Sequence, residues 1–286
     1  MLSEKRHGFL DIQELGFWGA YSESRNGQYT VAWESSGRFI LVKGENLLSS
    51  GKLHNPTDGK VSDFGIHVLA DSLNNEKPES CFCAFDSAGH EILRQNYTAN
   101  IVSIGVARSG AFAAVQTALS ETDDAALLCL ADLNSRMFCW KQSWGMNWAR
   151  DYDFDEENKR LILIYPELGR FAFSYTGEFL DRDLWNIERV RLTCGKELVD
   201  VIRQLIASGE VKKKSGEVLA ALEYLRAKEW VQTMPKHGAI VYRCIGEVQE
   251  ALGNLLAAIE SYKRAAALDP KVGVKKRLDA LARFGV

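Results

Sequence analysis

Along the first 190 residues the apolar positions fall in short runs broken by Gly, Asn, Asp and Ser. Four stretches share one plan: TVAWESSGRFILV at 30–42, CFCAFDSAGHEIL at 81–93, LCLADLNSRMFCW at 128–140 and FAFSYTGEFLDRD at 171–183. Each reads as a strand, a tight turn and a second strand, with the Val, Ile, Phe and Tyr content that favours sheet. The turn residues Gly37, Gly89, Asn134 and Gly177 recur at intervals of 52, 45 and 43 residues. All are types that tolerate the positive φ of a tight hairpin. A further turn and strand precede three of them, at 58–70, 108–119 and 156–166. From Glu197 the apolar spacing lengthens to three and four, the helical period. Leu198, Ile202, Leu205 and Ile206 form one stripe, and Val218, Leu219, Leu222, Leu225 and Trp230 form a second. Gly209 and Lys212-Lys213-Lys214-Ser215-Gly216 predict an extended polar loop between them, and Pro235 is expected to end the second helix.

A repeat of roughly 45 residues with three or four strands matches a β-propeller blade. The phrase Phe85-Asp86-Ser87-Ala88-Gly89-His90-Glu91-Ile92 resembles the blades of WD-type and quinoprotein-type propellers, over about residues 15–190. The Gly-His and Trp-Asp dipeptides of true WD repeats are missing, and a β-sandwich is the alternative for the same strands. Four units imply either a small four-bladed ring or an incomplete propeller whose open end the helical part covers. The segment 239–270 resembles one full tetratricopeptide repeat, with Tyr242 where Trp is usual. Gly246 stands at the helix-contact glycine, Gly253 at the inter-helix turn, Ala258, Tyr262 and Ala265 on the small-aromatic-small ladder, and Pro270 at the close. Gln249 departs from the pattern, which favours a bulky apolar residue there. Residues 220–227 echo the second helix of a preceding unit, and 271–284 read as a solvating helix with Leu278 and Leu281 on its apolar face. The expected architecture is therefore multidomain: propeller-like antiparallel sheets over 1–190, then tetratricopeptide-type helical hairpins over 191–286.

The charge splits at the same place. Residues 1–190 carry 18 basic against 27 acidic residues, a balance of −9, whereas residues 191–286 carry 17 against 11, or +6. Such an asymmetry bears on encounter with partners rather than on fold. No apolar run is long enough to cross a bilayer, and the opening residues MLSEKRHGFLDIQELGF show no apolar signal core. A cytoplasmic, reducing setting without membrane attachment is expected. The six cysteines are then expected as free thiols, with Cys81 and Cys83 on the same side of a strand.

Candidate chemistry is sparse. No nucleophile-elbow, zincin, P-loop or dinucleotide-binding fingerprint occurs, and His7, His54, His67, His90 and His237 are scattered. Asp151-Tyr152-Asp153-Phe154-Asp155 opens like a calcium loop but lacks its sixth-position Gly and twelfth-position Glu, so a polar turn is the better reading. No metal, cofactor or catalytic residue is expected. Nucleic acid is disfavoured as well, because Lys212-Lys213-Lys214 and Lys275-Lys276-Arg277 carry no interleaved aromatics. The run from Trp140 through Trp144 to Trp148, with Lys141 and Arg150, is expected to expose aromatics at a loop and offers one partner-binding surface.

The tetratricopeptide resemblance implies a second surface on the concave face of the helices, at Arg243, Glu247 and Glu250. Solvated residues, with Arg243 pairing to Glu247 one turn on, are the alternative. That family's clamp for a terminal carboxylate calls for a basic residue followed by Asn, so Glu247 disfavours such a tail. The function expected is non-catalytic recognition of a protein or peptide by an adaptor, scaffold or immunity-type binding protein. The alternative is an enzyme or small-ligand sensor built around the central opening of the propeller.

Overall fold

The computed structural model describes residues 4–6, 8–73, 76–144 and 148–283. Two compact units part between Leu180 and Asp181. The first holds four antiparallel sheets in chain order. Sheet one runs β1 (Glu4–Arg6), β2 (Phe9–Ile12), β3 (Phe17–Glu23), β4 (Tyr29–Trp33), β5 (Arg38–Lys43) and β6 (Asn46–Lys52). Sheet two holds β7 (Pro56–Val61), β8 (His67–Ser72), β9 (Ser80–Phe85) and β10 (Glu91–Tyr97). Sheet three holds β11 (Ile101–Val106), β12 (Phe112–Thr117), β13 (Leu127–Asp132) and β14 (Met137–Ser143), and sheet four holds β15 (Asp151–Asp155), β16 (Arg160–Tyr165) and β17 (Gly169–Ser174). Every sheet is an open antiparallel meander whose neighbouring strands are consecutive in the chain.

One turn design recurs between strands. Gly37, Gly89 and Gly177 hold φ between +88° and +98°, and each donates its amide to the carbonyl three residues back. Those acceptors are Glu34, Asp86 and Ser174. A side chain at that φ is strained, which is why glycine recurs. The third repeat differs: the left-handed residue is Arg136, at φ 59°, and Asn134 instead donates its amide to the Asp132 carboxylate.

Middle strands are buried on both faces, as the runs His67–Ala70, Cys81–Phe85, Ala113–Thr117 and Leu128–Ala131 require. Only a sheet covered on each side buries such a continuous run. The cover is the neighbouring sheet. Val31, Trp33, Phe39 and Leu41 of sheet one pack with Val61, Leu69, Cys81 and Cys83 of sheet two. Val68, Ala70, Phe82 and Ala84 of sheet two in turn meet Ile104, Ala113, Val115 and Cys129 of sheet three. The other face of sheet one is closed by its own early strands, where Leu10 and Ile12 of β2 and Phe17 of β3 cover Ala32, Ile40 and Val42. Neighbouring sheets approach closely through glycine: a Cβ at Gly59 of β7 would sit 2.7 Å from the Trp33 ring of β4, and one at Gly105 of β11 2.8 Å from the Tyr152 ring of β15.

The second unit begins earlier than the change in charge, at Asp181, so Trp185 lies on a helix rather than in the sheet-forming part. Its helices are α1 (Arg182–Glu188), α2 (Gly195–Ala207), α3 (Glu210–Lys213), α4 (Ser215–Arg226), α5 (Glu229–Thr233), α6 (Pro235–Ala251), α7 (Leu255–Leu268) and α8 (Lys275–Arg283). Two expectations are corrected here. The lysine-rich loop is instead the one-turn helix α3: Gly209, at φ 78°, turns the chain, and the buried Val211 anchors the segment. Pro235 starts α6 rather than ending a helix, because its missing amide and fixed φ suit the first helical position. The long helix α4 has already ended at Arg226, and Trp230 belongs to α5. None of the described helices is long and apolar enough to cross a membrane.

Helices α6 and α7 form a hairpin through Gly253, at φ +82°. Ala258, Tyr262 and Ala265 are all fully buried along α7. The Tyr262 ring lies over Gly246, where an added Cβ would come within 2.5 Å of it. Replacing Gly246 by Ala therefore sets a gain in helix propensity of about 1 kcal/mol against an overpacking cost of roughly 1–3 kcal/mol. A lowered midpoint of thermal unfolding is expected for Gly246→Ala, and a raised midpoint would show that the ring moves aside freely.

His67 supplies a second expectation. It is fully buried on β8, stacked on Phe85 at 5.4 Å and tilted against Phe39 at 6.0 Å. Burial pushes its pKa down to about 4. Between that value and the ordinary 6.5 the unfolded chain binds the extra proton, so stability rises with pH across this window and is lost as pH falls. The difference is worth about 3 kcal/mol at most. Urea midpoints measured from pH 7.5 down to 4.5 are expected to fall less steeply for His67→Phe than for the native chain.

Candidate functional site

Helices α2 and α6 each carry a stripe of groove-lining residues at spacings of three and four, which places them on one side of a helix. On α2 the stripe is Lys196, Val199, Asp200, Arg203, Ile206 and Ala207, and on α6 it is Lys236, Ile240, Arg243, Glu247 and Glu250. Asp269, Lys271 and Val272 between α7 and α8, together with Arg277 of α8, complete the walls. The groove consists of two hollows, of about 430 and 340 Å³, that share Arg203.

The three residues expected to meet a partner sit in this groove, but not as free side chains. Arg243 donates from Nε to Glu247 Oε1 at 3.1 Å and from its guanidinium to the Val272 carbonyl at 2.8 Å. Glu247 is only 2 % exposed. Arg203 and Arg277 approach its carboxylate at 3.9 and 3.8 Å, yet Oε2 accepts no hydrogen bond. Glu250 accepts from the Tyr262 hydroxyl at 2.6 Å and from Arg277 at 2.7 Å. The network thus ties α2, α6, α7 and α8 together. Sequence reasoning missed Arg203, Arg277, Lys196, Lys236 and Lys271. The signal available was the basic residue recurring every seven positions, at 196 and 203 on α2 and at 236 and 243 on α6.

The groove offers little acid–base or nucleophilic chemistry. Its two inner carboxylates are held by arginines. Burial pushes the Cys244 thiol, next along α6, up to about 12, so it carries no thiolate. Burial likewise raises the Tyr262 hydroxyl, which is already committed to Glu250.

Strand β3 of sheet one and the first strands of the other three sheets line a separate pocket of about 230 Å³ in the first unit. Its charged residues include Arg25, Lys60, Asp63, Arg108, Asp151 and Asp153. Several serve as staples between sheets. Asp153 on β15 accepts from Arg170 at 2.7 Å and from Arg25, beyond β3, at 3.4 Å. Against the effect of burial, those arginines hold its carboxyl below the ordinary carboxylate range. Asp63 accepts the Asn26 amide at 2.8 Å and donates its own amide to the Arg108 carbonyl at 2.9 Å. Asp58 nearby is shifted upward by burial.

The tryptophan run divides. Trp140 packs against Phe173 at 5.8 Å, and Trp144 meets Phe173 and Phe179 edge-on while donating to the Tyr165 hydroxyl at 2.8 Å. Both therefore join sheet three to sheet four. Trp148 is 53 % exposed, and residues 145–147 between them lie outside the described residues. The two strand thiols Cys81 and Cys83 face the same side, 3.5 Å apart and buried. No family model matches the chain, and no curated protein matches it.

Because Glu247 is buried, its stability contribution depends on Arg243. Arg243→Met strands the carboxylate and is expected to cost about 3–5 kcal/mol, whereas Arg243→Met with Glu247→Leu recovers most of that loss. Urea unfolding of the two single variants and the double variant measures the coupling; additive losses would mean that the pair is not the clamp.

Proposed function

We propose that this chain is a non-catalytic protein-recognition module, an adaptor, scaffold or immunity-type binder. In it a propeller-like set of sheets accompanies tetratricopeptide-type helical hairpins. The observation that carries the reading is the groove over α2, α6 and α8. One wall carries the Arg243–Glu247 and Arg277–Glu250 pairs, and the groove's rims keep Lys196, Lys236 and Lys271 exposed. A wall already locked by Arg243, Glu247, Glu250 and Tyr262 does not have to order itself on binding, which removes part of the entropic cost of association. The α6–α7 hairpin supports the repeat-type reading through the Gly246–Tyr262 approach, the Gly253 turn and the three buried positions on α7. Successive sheets packed face to face, with one strand of each at a shared pocket, support the propeller-like reading.

The pocket among the four sheets favours a second reading, a small-ligand sensor, because charged groups of both signs converge there. The first reading is preferred since Arg25, Asp63 and Asp153 are already spent on joining sheets. Peptides selected from a random display library against the intact chain separate the two. On binding, the methyl resonances of Ile206, Ile240 and Val272 are expected to shift. Shifts confined to Val61, Val106 and Ile164 would move the function to the pocket in the sheets.

A further inference from the structure

Resting on the recognition reading above, we infer that the occupant of the α2–α6 groove is an extended peptide segment with acidic side chains. The charge of the groove carries this. Lys196 and Lys236, one at the start of α2 and the other at the start of α6, and Lys271 after α7 are exposed and form no ion pair among the described residues. Arg203 joins them, with only a 3.9 Å approach to Glu247. Against these four cations stand Asp200 and Asp269, since the Glu247 and Glu250 charges are balanced by Arg243 and Arg277. The groove is thus cationic along its rim, although two glutamates lie at its base. Between the charges, Val199, Ile240 and Val272 form an apolar floor.

The acidic side chains of the segment reach Lys196, Lys236, Lys271 and Arg203 along the rim, while the Glu247 carboxylate stays enclosed behind Arg203 and Arg277 and meets no part of the peptide. Recognition runs through side-chain carboxylates along the segment, so a free terminal carboxylate is not required.

The test uses the intact chain and a fluorescein-labelled, C-terminally amidated peptide of repeating Glu-Val-Ser units, with Gln and Lys counterparts. Several exposed ion pairs, each worth about 0.2–1 kcal/mol, predict binding about tenfold tighter for the Glu peptide than for the Gln peptide. The Lys peptide is expected to bind weakest, and the Glu preference is expected to fade with added salt. The Lys196→Ala/Lys236→Ala/Lys271→Ala variant alters only exposed side chains and is expected to abolish that preference while keeping the native unfolding midpoint. Equal binding of Glu and Gln peptides, with shifted methyl resonances of Ile206, Ile240 and Val272, would overturn the acidic occupant and leave the groove reading standing. A requirement for the free terminal carboxylate would also overturn it. If neither these peptides nor display-selected ones disturb those methyl groups, both readings fall.

Discussion

Within the helical unit, geometry is governed by one buried carboxylate. Glu247 lies on the inner side of α6, and a charge placed there is strongly destabilising unless cations accompany it. The structure supplies them from three helices: Arg243 from the same helix, Arg203 from α2 and Arg277 from α8. Satisfying the charge therefore fixes the distances between α2, α6 and α8. Arg243 extends the constraint to the chain after α7 through the Val272 carbonyl, and Arg277 extends it to Glu250 and Tyr262. The groove is the space left when these helices are held at that separation. Its lysines stand exposed on the rim, outside that network.

The sheet unit is organised by a different constraint, the burial of both faces of its middle strands. Cys81 to Phe85 and Leu128 to Ala131 have no polar face to show to water, so each sheet must lie between two covers. Neighbouring sheets serve as covers in succession, and the early strands β2 and β3 close the far side of sheet one. Close approach of neighbouring sheets depends on positions without a side chain, at Gly59 and Gly105. The polar ends of the pocket-lining strands then face one another, and Asp153 and Asp63 become links between sheets. Charged convergence in that pocket follows from how the sheets are joined, without requiring a reaction there.

Local chemistry was readable wherever a residue's conformation is set by its neighbours in the chain. Gly37, Gly89 and Gly177 mark turns because only the left-handed region closes them, and Gly253 marks the helix hairpin for the same reason. The stripe of Leu198, Ile202 and Leu205 already assigns a buried face to α2. Residues with two local options were misread. Pro235 serves either end of a helix by the same missing amide, and only the packing of Ala239, Val241 and Cys244 decides that a helix follows it. Lys212 to Lys214 look like a solvated loop until Val211 finds a buried place beside them.

The candidate site was half legible, and the limit is physical. Arg243 and Glu247 are four residues apart on one helix, so their pairing is dictated by helix geometry before any fold exists. Nothing local says that Glu247 is buried, since that depends on α2 and α8 arriving from 44 residues before it and 30 after. Trp140 and Trp144 pose the same problem: an aromatic residue near a loop is packed or exposed according to whether another sheet lies over it, and here Phe173 does. By itself the sequence determined the strand and helix periods, the glycine turns and the change from sheet to helix. These depend on interactions spanning a few residues. Tertiary structure alone decided which charges are compensated inside and which face solvent, because desolvation is a property of the assembled neighbourhood.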